Sequence, residues 1–485
     1  MRKKGLLLFF TALICFSAFA SDAFTVTYGQ SSTNERHLVF TLGDFYIDQV
    51  TIEGITYSTV AFDHPITTMK KGWAELPFLS SSIQIADDKN VNVTATEVSY
   101  FDIQLDHPLL PSRGVIYRNQ DPASIPYEID ASSLIDAFYP KSLVSADDPY
   151  ILRDIRGTNI KVYPFRYNAV QNTLRVYYEI EVSVNDNETP VVNPRTASNA
   201  KMLREMDAMY RSLFLNYPSA AKDDLTVSDY GDILVITTER DEDAIQPYID
   251  WKKEKGFNVF KEVVETGTNV KTLVQDSYDA NPNILYVQLV GDWADIKCNQ
   301  GGGANAPMDP MLGCVVGTDW YPEIAVGRFS GSSPAHISIQ VEKAINYEKN
   351  TSETTDWYSK SLGVASNEGA TNGDDSEMDK EHVQIIYDNK LNPFTYDNHF
   401  DVYAPGATSA MVTNALQEGV SIANYCGHGS VNSWVTSGFS NSNISQLTNG
   451  DKLPFIFSVA CVNGAFHQGE CFGEAWLKKE GGGAV

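Results

Sequence analysis

Ile422-Ala423-Asn424-Tyr425-Cys426-Gly427-His428-Gly429 and Phe455-Ile456-Phe457-Ser458-Val459-Ala460-Cys461 decide the fold of this chain. Each is a short apolar run of the kind that forms a strand buried in a parallel sheet. The first runs out into a histidine between glycines, the second into a cysteine after alanine. Sites in open α/β sheets form where parallel strands end at their carboxyl edge. Two neighbouring strands ending this way present an imidazole beside a thiol. The thiol attacks only as thiolate, which a nearby base or positive charge favours. His428 and Cys461 are 33 residues apart. That leaves room for the crossover of at least about 12 residues that parallel pairing needs.

Upstream of these motifs, strands and helices alternate from Gly231. Ile233–Thr237, Ile284–Asp292 and Leu362–Ser366 read as strands, and Ala244–Lys255 and Ile337–Lys349 as helices. Such alternation predicts a parallel sheet covered by helices. Residues 21 to about 185 read differently. His37–Leu42 and Leu174–Val182 mix β-branched, aromatic and alternating polar residues, and clusters such as Asn185-Asp186-Asn187 separate the runs. A β-sandwich or barrel is the simplest reading. Residues 186–200 read as a polar linker and 198–213 as a helix.

Arg2, Lys3 and Lys4, the apolar run Leu7–Phe19 and the small-x-small triplet Ala18-Phe19-Ala20 form a secretory leader, with cleavage expected after Ala20. The apolar run falls short of the roughly 20 residues a membrane span needs, and no other stretch has that character. The formal net charge of −26 argues against nucleic acid as partner, because phosphate binding requires clustered Lys and Arg. Five cysteines remain beyond the leader: Cys298, Cys314, Cys426, Cys461 and Cys471. An odd number in an exported chain leaves at least one thiol free, and Cys298 with Cys314 is one conceivable pair. Asp319-Trp320-Tyr321-Pro322-Glu323 sets two carboxylates either side of a backbone carbonyl. Such a turn converges on a hard cation such as calcium, which takes about six to eight oxygens, or is simply an exposed acidic turn.

The two motifs resemble the caspase-like clan of cysteine peptidases, and within it the gingipain-type family. Asn424-Tyr425 before Gly427-His428-Gly429-Ser430 is similar to that family's histidine motif. Leu453–Phe457 followed by Val459-Ala460-Cys461-Val462-Asn463-Gly464 is similar to its cysteine motif. The resemblance runs from about Gly231 onward and weakens before it. It implies an α/β caspase-like catalytic domain preceded by an all-β propeptide. The expected order is leader 1–20, inhibitory propeptide 21–222 and peptidase domain 223–485. The family's catalytic unit runs on beyond Val485, so the chain is expected to be a fragment.

The resemblance implies roles residue by residue. Cys461 is the nucleophile, and the backbone N–H groups of Cys461 and Gly429 form the oxyanion site. His428 protonates the leaving amine. Glu368, in Ala365-Ser366-Asn367-Glu368-Gly369, orients the histidine. Asp379, in an Asp-x-x-His pattern with His382, supplies an acid to the pocket for a basic side chain, a role an acidic surface helix start also mimics. Calcium would draw on Asp292, Asp319, Glu323 and the carbonyls of Val316 and Tyr321. Activation is expected between Lys222 and Asp223, in a small polar stretch that is easily nicked, with Arg195 the competing site. The implied function is a secreted cysteine endopeptidase made as a zymogen and acting on protein or peptide substrates, with cleavage expected after basic residues. The rivals are a peptidase that trims sorting signals in type IX secretion and an inactive surface adhesin of the same fold.

Overall fold

A computed structural model describes residues 18–20, 24–32, 34–61, 66–117, 120, 124–196, 202–218, 230–302, 305–349, 354–369 and 377–485. The chain divides into two compact units. One comprises Met1–Ser198, Met202–Val227 and the short segment Val316–Tyr321. The other comprises Asn199–Lys201, Ser228–Val315 and Pro322–Val485.

The core of the amino-terminal unit is built from two antiparallel sheets, beside a two-stranded pair of Tyr46–Ile52 and Ile55–Ala61. In the first, Thr173–Asn187 pairs with Glu35–Leu42, with Asn90–Gln104 and with Phe165–Asn168. In the second, Ile155–Val162 pairs with Pro77–Gln84, Tyr150–Leu152 and Val144–Ala146. Alternation sends every second side chain inward. Leu38 and Phe40 of the first sheet and Ile83, Ile160 and Val162 of the second share one buried core, the arrangement of a sandwich.

The expected turn at Asn185-Asp186-Asn187 is instead strand. Asp186 and Asn187 pair with Val91 and Asn90, and Asp186 takes an ion pair from Arg36 at 2.7 Å. Ladder bonds and that ion pair override the turn propensity of the three residues. The helix expected over 198–213 is observed at Arg204–Leu213, and residues 197–201 lie outside the described ones.

The second unit alternates strands and helices as expected, and its two four-stranded sheets are parallel throughout. One has the order Val259–Val263, Asp232–Thr237, Ile284–Val290, Ala325–Phe329. The other has the order Asn398–Tyr403, Lys360–Ala365, Ile422–Cys426, Phe455–Val459. Alternation in sequence announces parallel pairing but not partner choice. Ala325–Phe329 pairs with Ile284–Val290, whereas Lys360–Ala365 pairs with the second set. Asp232–Thr237 is buried along its whole length, as a strand covered on both faces must be.

The histidine strand is delivered by the helix Ser409–Glu418. Thr408 caps it by accepting from Met411 N at 3.3 Å. Gly419, at φ +105°, turns the chain out of it. Beyond Cys426 the crossover folds on itself as a small antiparallel sheet of Gly429–Ser430, Ser433–Trp434 and Phe439–Ser440. Trp434 and Phe439 of that sheet join Leu362, Ala423, Tyr425, Phe472 and Trp476 in one core.

Candidate active site

Strand register places the two reactive residues. Ile422 pairs with Phe455 and the ladder runs to Cys426 opposite Val459. His428 and Cys461 therefore each stand two residues past the last pair, at the carboxyl edge of adjacent strands. Gly429 backs onto the nucleophile. A Cβ built there would lie 2.4 Å from the Cys461 carbonyl oxygen and 2.9 Å from Ala460 Cβ. No side chain fits between the two loops.

Both loops are held rigidly. The His428 carbonyl accepts from Tyr425 Oη at 2.6 Å and from Val435 N at 3.0 Å. The Tyr425 ring stacks on Trp434 at 4.7 Å. Trp434 Nε1 donates to Ser458 Oγ at 2.9 Å, and Ser458 Oγ donates to Asn463 Oδ1 at 2.8 Å. Asn463 Nδ2 then donates to the carbonyls of Ser430 at 2.6 Å and Ser433 at 3.0 Å. Asn463, two residues after the cysteine, thus clamps the nucleophile loop to the loop that follows His428. Between them Val462 holds φ +55°, a left-handed value that a β-branched residue rarely adopts. Such strain persists where surrounding contacts over-determine the backbone, and it gathers at functional sites.

Glu368 Oε2 lies 2.7 Å from His428 Nε2, and both side chains are partly exposed. The pair fixes which ring nitrogen faces the carboxylate. Ala370–Ser376 lies outside the described residues. The segment closes on both sides of it through a bridge between Gly369 and Met378 and a bond from Asp379 N to the Glu368 carbonyl at 2.9 Å. Asp379 opens the helix Asp379–Ile386 and is 9% exposed, so it is not a solvated helix start. Its Oδ2 accepts from Ser366 Oγ at 2.5 Å and its Oδ1 from the Cys426 thiol at 3.3 Å.

Cys298, Cys314, Cys426, Cys461 and Cys471 form no disulfide, so the conceivable Cys298–Cys314 pair is not made. Cys461 is exposed, while Cys298, Cys426 and Cys471 are buried. Burial pushes the Cys298 and Cys471 thiols up to about 12, and at Cys298 the neighbouring Asp309 adds to the rise. Those two remain protonated at neutral pH and are poor nucleophiles.

The residues expected to bind calcium carry protein hydrogen bonds of their own. Among the described residues no group of three or more His, Cys, Asp or Glu side chains is placed to hold a metal ion. Asp319 Oδ2 accepts from Ile151 N at 2.6 Å and from Asn193 Nδ2 at 2.5 Å, and Oδ1 from Tyr321 N at 2.9 Å. Tyr321 stacks on Tyr150 at 4.6 Å. Glu323 is buried, and its Oε2 accepts from Val315 N at 2.9 Å. Asp292 Oδ1 accepts from Ala294 N at 3.3 Å. Val316 falls in the same segment as Asp319. Lys222 lies outside the described residues. Ser366, Cys426, Tyr425, Ser458 and Asn463 were not singled out by sequence reasoning. Only the motif wording around Cys426 and Asn463 marked their neighbourhood.

Residues 226–485 match the model of Peptidase family C25, and residues 27–225 match that of the C25 propeptide. The chain belongs to peptidase family C25. Gingipain R2 of Porphyromonas gingivalis is 33% identical to this C25 chain over 449 residues, covering 90% of the chain and 60% of that protein. Lys-gingipain of the same organism is 25% identical over 469 residues, covering 92% and 26%. Among solved structures, the crystal structure of the Arg-specific cysteine proteinase gingipain R is similar at 35% identity and a TM-score of 0.49. The match covers 52% of this chain and 60% of that one. The complex of the pro- and mature domains of P. gingivalis RgpB is similar at 36% identity and a TM-score of 0.49, with 52% and 62% covered. The C25 chain thus spans about 60% of the length of the first of these relatives.

Proposed function

We propose that this chain is the zymogen of a secreted cysteine endopeptidase that cleaves peptide bonds after basic residues. The observation that carries the reading is the register of the two strand ends, with Glu368 on His428 and Gly429 seated against Cys461. The Cys461 thiolate attacks the scissile carbonyl carbon. Backbone N–H groups of Cys461 and Gly429 receive the developing oxyanion, a donor arrangement in which each bond is worth about 3–4 kcal/mol. His428, oriented through Nε2 by Glu368, protonates the departing amine. Water then hydrolyses the acyl-enzyme. Asp379, buried and acidic, pairs with the basic side chain before the scissile bond.

The amino-terminal β-rich unit acts as an inhibitory propeptide until the chain is cut between Lys222 and Asp223. Arg195 is the poorer site. Its guanidinium is tied to Asp87 at 2.8 Å and to the Arg153 carbonyl, and its own N–H donates to the Asp87 carbonyl. Calcium belongs to this proposal only on a condition. Asp319 must exchange its bonds to Ile151 and Asn193 for the cation, and a chelator would then lower the melting temperature of the mature enzyme.

The test is hydrolysis of a peptide library by the full-length protein under reducing conditions, beside Cys461→Ala. Cleavage after Arg or Lys that vanishes in Cys461→Ala supports the reading. Activity that survives the substitution rules out the mechanism, and the absence of any cleavage by the activated parent overturns the function. Amino-terminal sequencing of the mature chain decides activation: a start at Asp223 supports it, and one at Thr196 or Ser21 overturns it.

A further inference from the structure

We infer that Ser366 and Cys426 are positioning residues that set the carboxylate of Asp379 for a basic substrate side chain. The inference rests on Asp379 being the specificity acid. Asp379 is almost wholly buried, and a buried carboxylate is tolerated only when donors satisfy its oxygens. Each oxygen here has its own donor: the Ser366 hydroxyl on Oδ2 and the Cys426 thiol on Oδ1. Both donors are neutral. They fix the plane of the carboxylate without cancelling its charge, as reading a planar guanidinium requires.

The two donors come from the strand ends that also carry the reactive pair. Ser366 directly follows the strand Lys360–Ala365 and precedes Glu368 by two residues. Cys426 ends the neighbouring strand and precedes His428 by two. The strands are locked together there, with Ala365 opposite Cys426 and Ser366 N donating to the Cys426 carbonyl at 3.0 Å. Ser366 Oγ serves both functions at once. It donates to Asp379 and accepts from the Glu368 amide at 3.1 Å. A displaced Asp379 therefore pulls on the loop that presents Glu368 to His428. The specificity carboxylate and the catalytic pair share one hydrogen-bonded frame.

The experiment compares Cys426→Ala, Cys426→Ser, Ser366→Ala and Asp379→Asn in the activated full-length enzyme. The readouts are kcat and KM on peptides with Arg, Lys or a neutral glutamine before the scissile bond, and the rate of iodoacetamide capture at Cys461. Loss of a bond to a charged group predicts a fall in kcat/KM for basic peptides of about tenfold in Ser366→Ala and about threefold in Cys426→Ala, carried by KM. Glutamine peptides and Cys461 capture should fall by a smaller factor than basic peptides in Cys426→Ala, and Cys426→Ser, which keeps a donor, should restore basic-peptide turnover. If Asp379→Asn hits basic and neutral peptides equally, the reading of Asp379 itself is wrong and the inference goes with it. If Asp379→Asn discriminates but Cys426→Ala and Ser366→Ala leave KM for basic peptides unchanged, or lower turnover of all peptides alike, the positioning role alone is overturned. Cys461 capture at the parental rate identifies a variant as folded.

Discussion

Replacing Asn463 by alanine should damage the enzyme more than any loop substitution of its size. The side chain is 5% exposed and makes three hydrogen bonds, to Ser430 O at 2.6 Å, Ser433 O at 3.0 Å and Ser458 Oγ at 2.8 Å. At about 1 kcal/mol net for each bond, Asn463→Ala should cost roughly 3 kcal/mol. For a unit of this size that is a fall of about 6–12 °C in melting temperature. The catalytic effect has a separate origin. The clamp sets how far the Cys461 loop sits from the loop after His428, and an error of about 1 Å between reacting groups costs on the order of 100-fold. Turnover of an Arg-containing peptide should fall by that order, and iodoacetamide capture at Cys461 should slow in parallel. Differential scanning fluorimetry and stopped-time kinetics on the same preparation separate the two effects. A melting temperature that drops while turnover and capture stay within threefold would show that the clamp holds the fold alone. No change in any of the three would remove the clamp altogether.

In the activated parent, Cys461 should be alkylated first, with Cys298 and Cys471 silent at neutral pH because burial holds them near 12; mass-spectrometric mapping that finds either of those labelled first sinks the assignment. Gly429→Ala should abolish turnover and lower the melting temperature, since its Cβ would meet the Cys461 carbonyl oxygen, Ala460 Cβ and the Asn463 amide; parental turnover would refute the close approach. Desolvation lowers Lys343 from 10.5 to about 7, with Lys479 adding to the effect. Below pH 7 the full burial penalty applies; between about 7 and 10.5 the unfolded chain holds more protons, so stability rises with pH. Melting of the parent relative to Lys343→Met should climb from pH 7 to 10, and a flat difference would count against it. Arg156 is fully buried and donates to the carbonyls of Ala86, Lys89, Val192 and Asn193 and to Asn90 Oδ1. Arg156→Met strands those acceptors and should cost at least about 4 kcal/mol by urea denaturation; a loss under 1 kcal/mol would show that the acceptors find other partners.

What the sequence revealed and what it hid divide along a physical line. Ile422–Cys426 and Phe455–Val459 were legible as strands because a short apolar run has few other fates, and because the reactive residues lie just past the ends. The second is not the buried strand its apolar run suggested, since it stands at the end of its sheet with Phe455, Phe457 and Val459 exposed. Asp232–Thr237 and the helix Glu242–Glu254 were legible for the same reason of local pattern. The bonds that hold the site are not local. Ser366 reaches Asp379 across 13 residues, Cys426 reaches it across 47, and Asn463 reaches Ser430 across 33. No periodicity encodes such pairs. Asp319 and Glu323 make the converse point. Their spacing is local and legible, but the donors that meet their oxygens are not. Ile151 and Asn193 bind the first carboxylate and the Val315 amide binds the second.

The stretch between the two motifs is therefore more than a spacer. Parallel strands tolerate no slip, since a shift of one residue moves each side chain by about 3.3 Å and turns it to the opposite face. A slip between Ile422–Cys426 and Phe455–Val459 would carry Cys461 out of reach of His428. Hydrogen bonds along the ladder resist it only weakly, because they re-form one step on. Resistance comes from groups that cannot re-form. The Tyr425 ring is fixed against Trp434, and Trp434 is bonded to Ser458 on the other strand. Ser458 in turn holds Asn463, which is bonded back to the crossover at Ser430 and Ser433. The crossover closes a loop of contacts through both strands, and that closure admits one register. Substitutions at Trp434 or Ser458, neither of which meets the substrate in the proposed chemistry, should accordingly act on the rate as well as on stability.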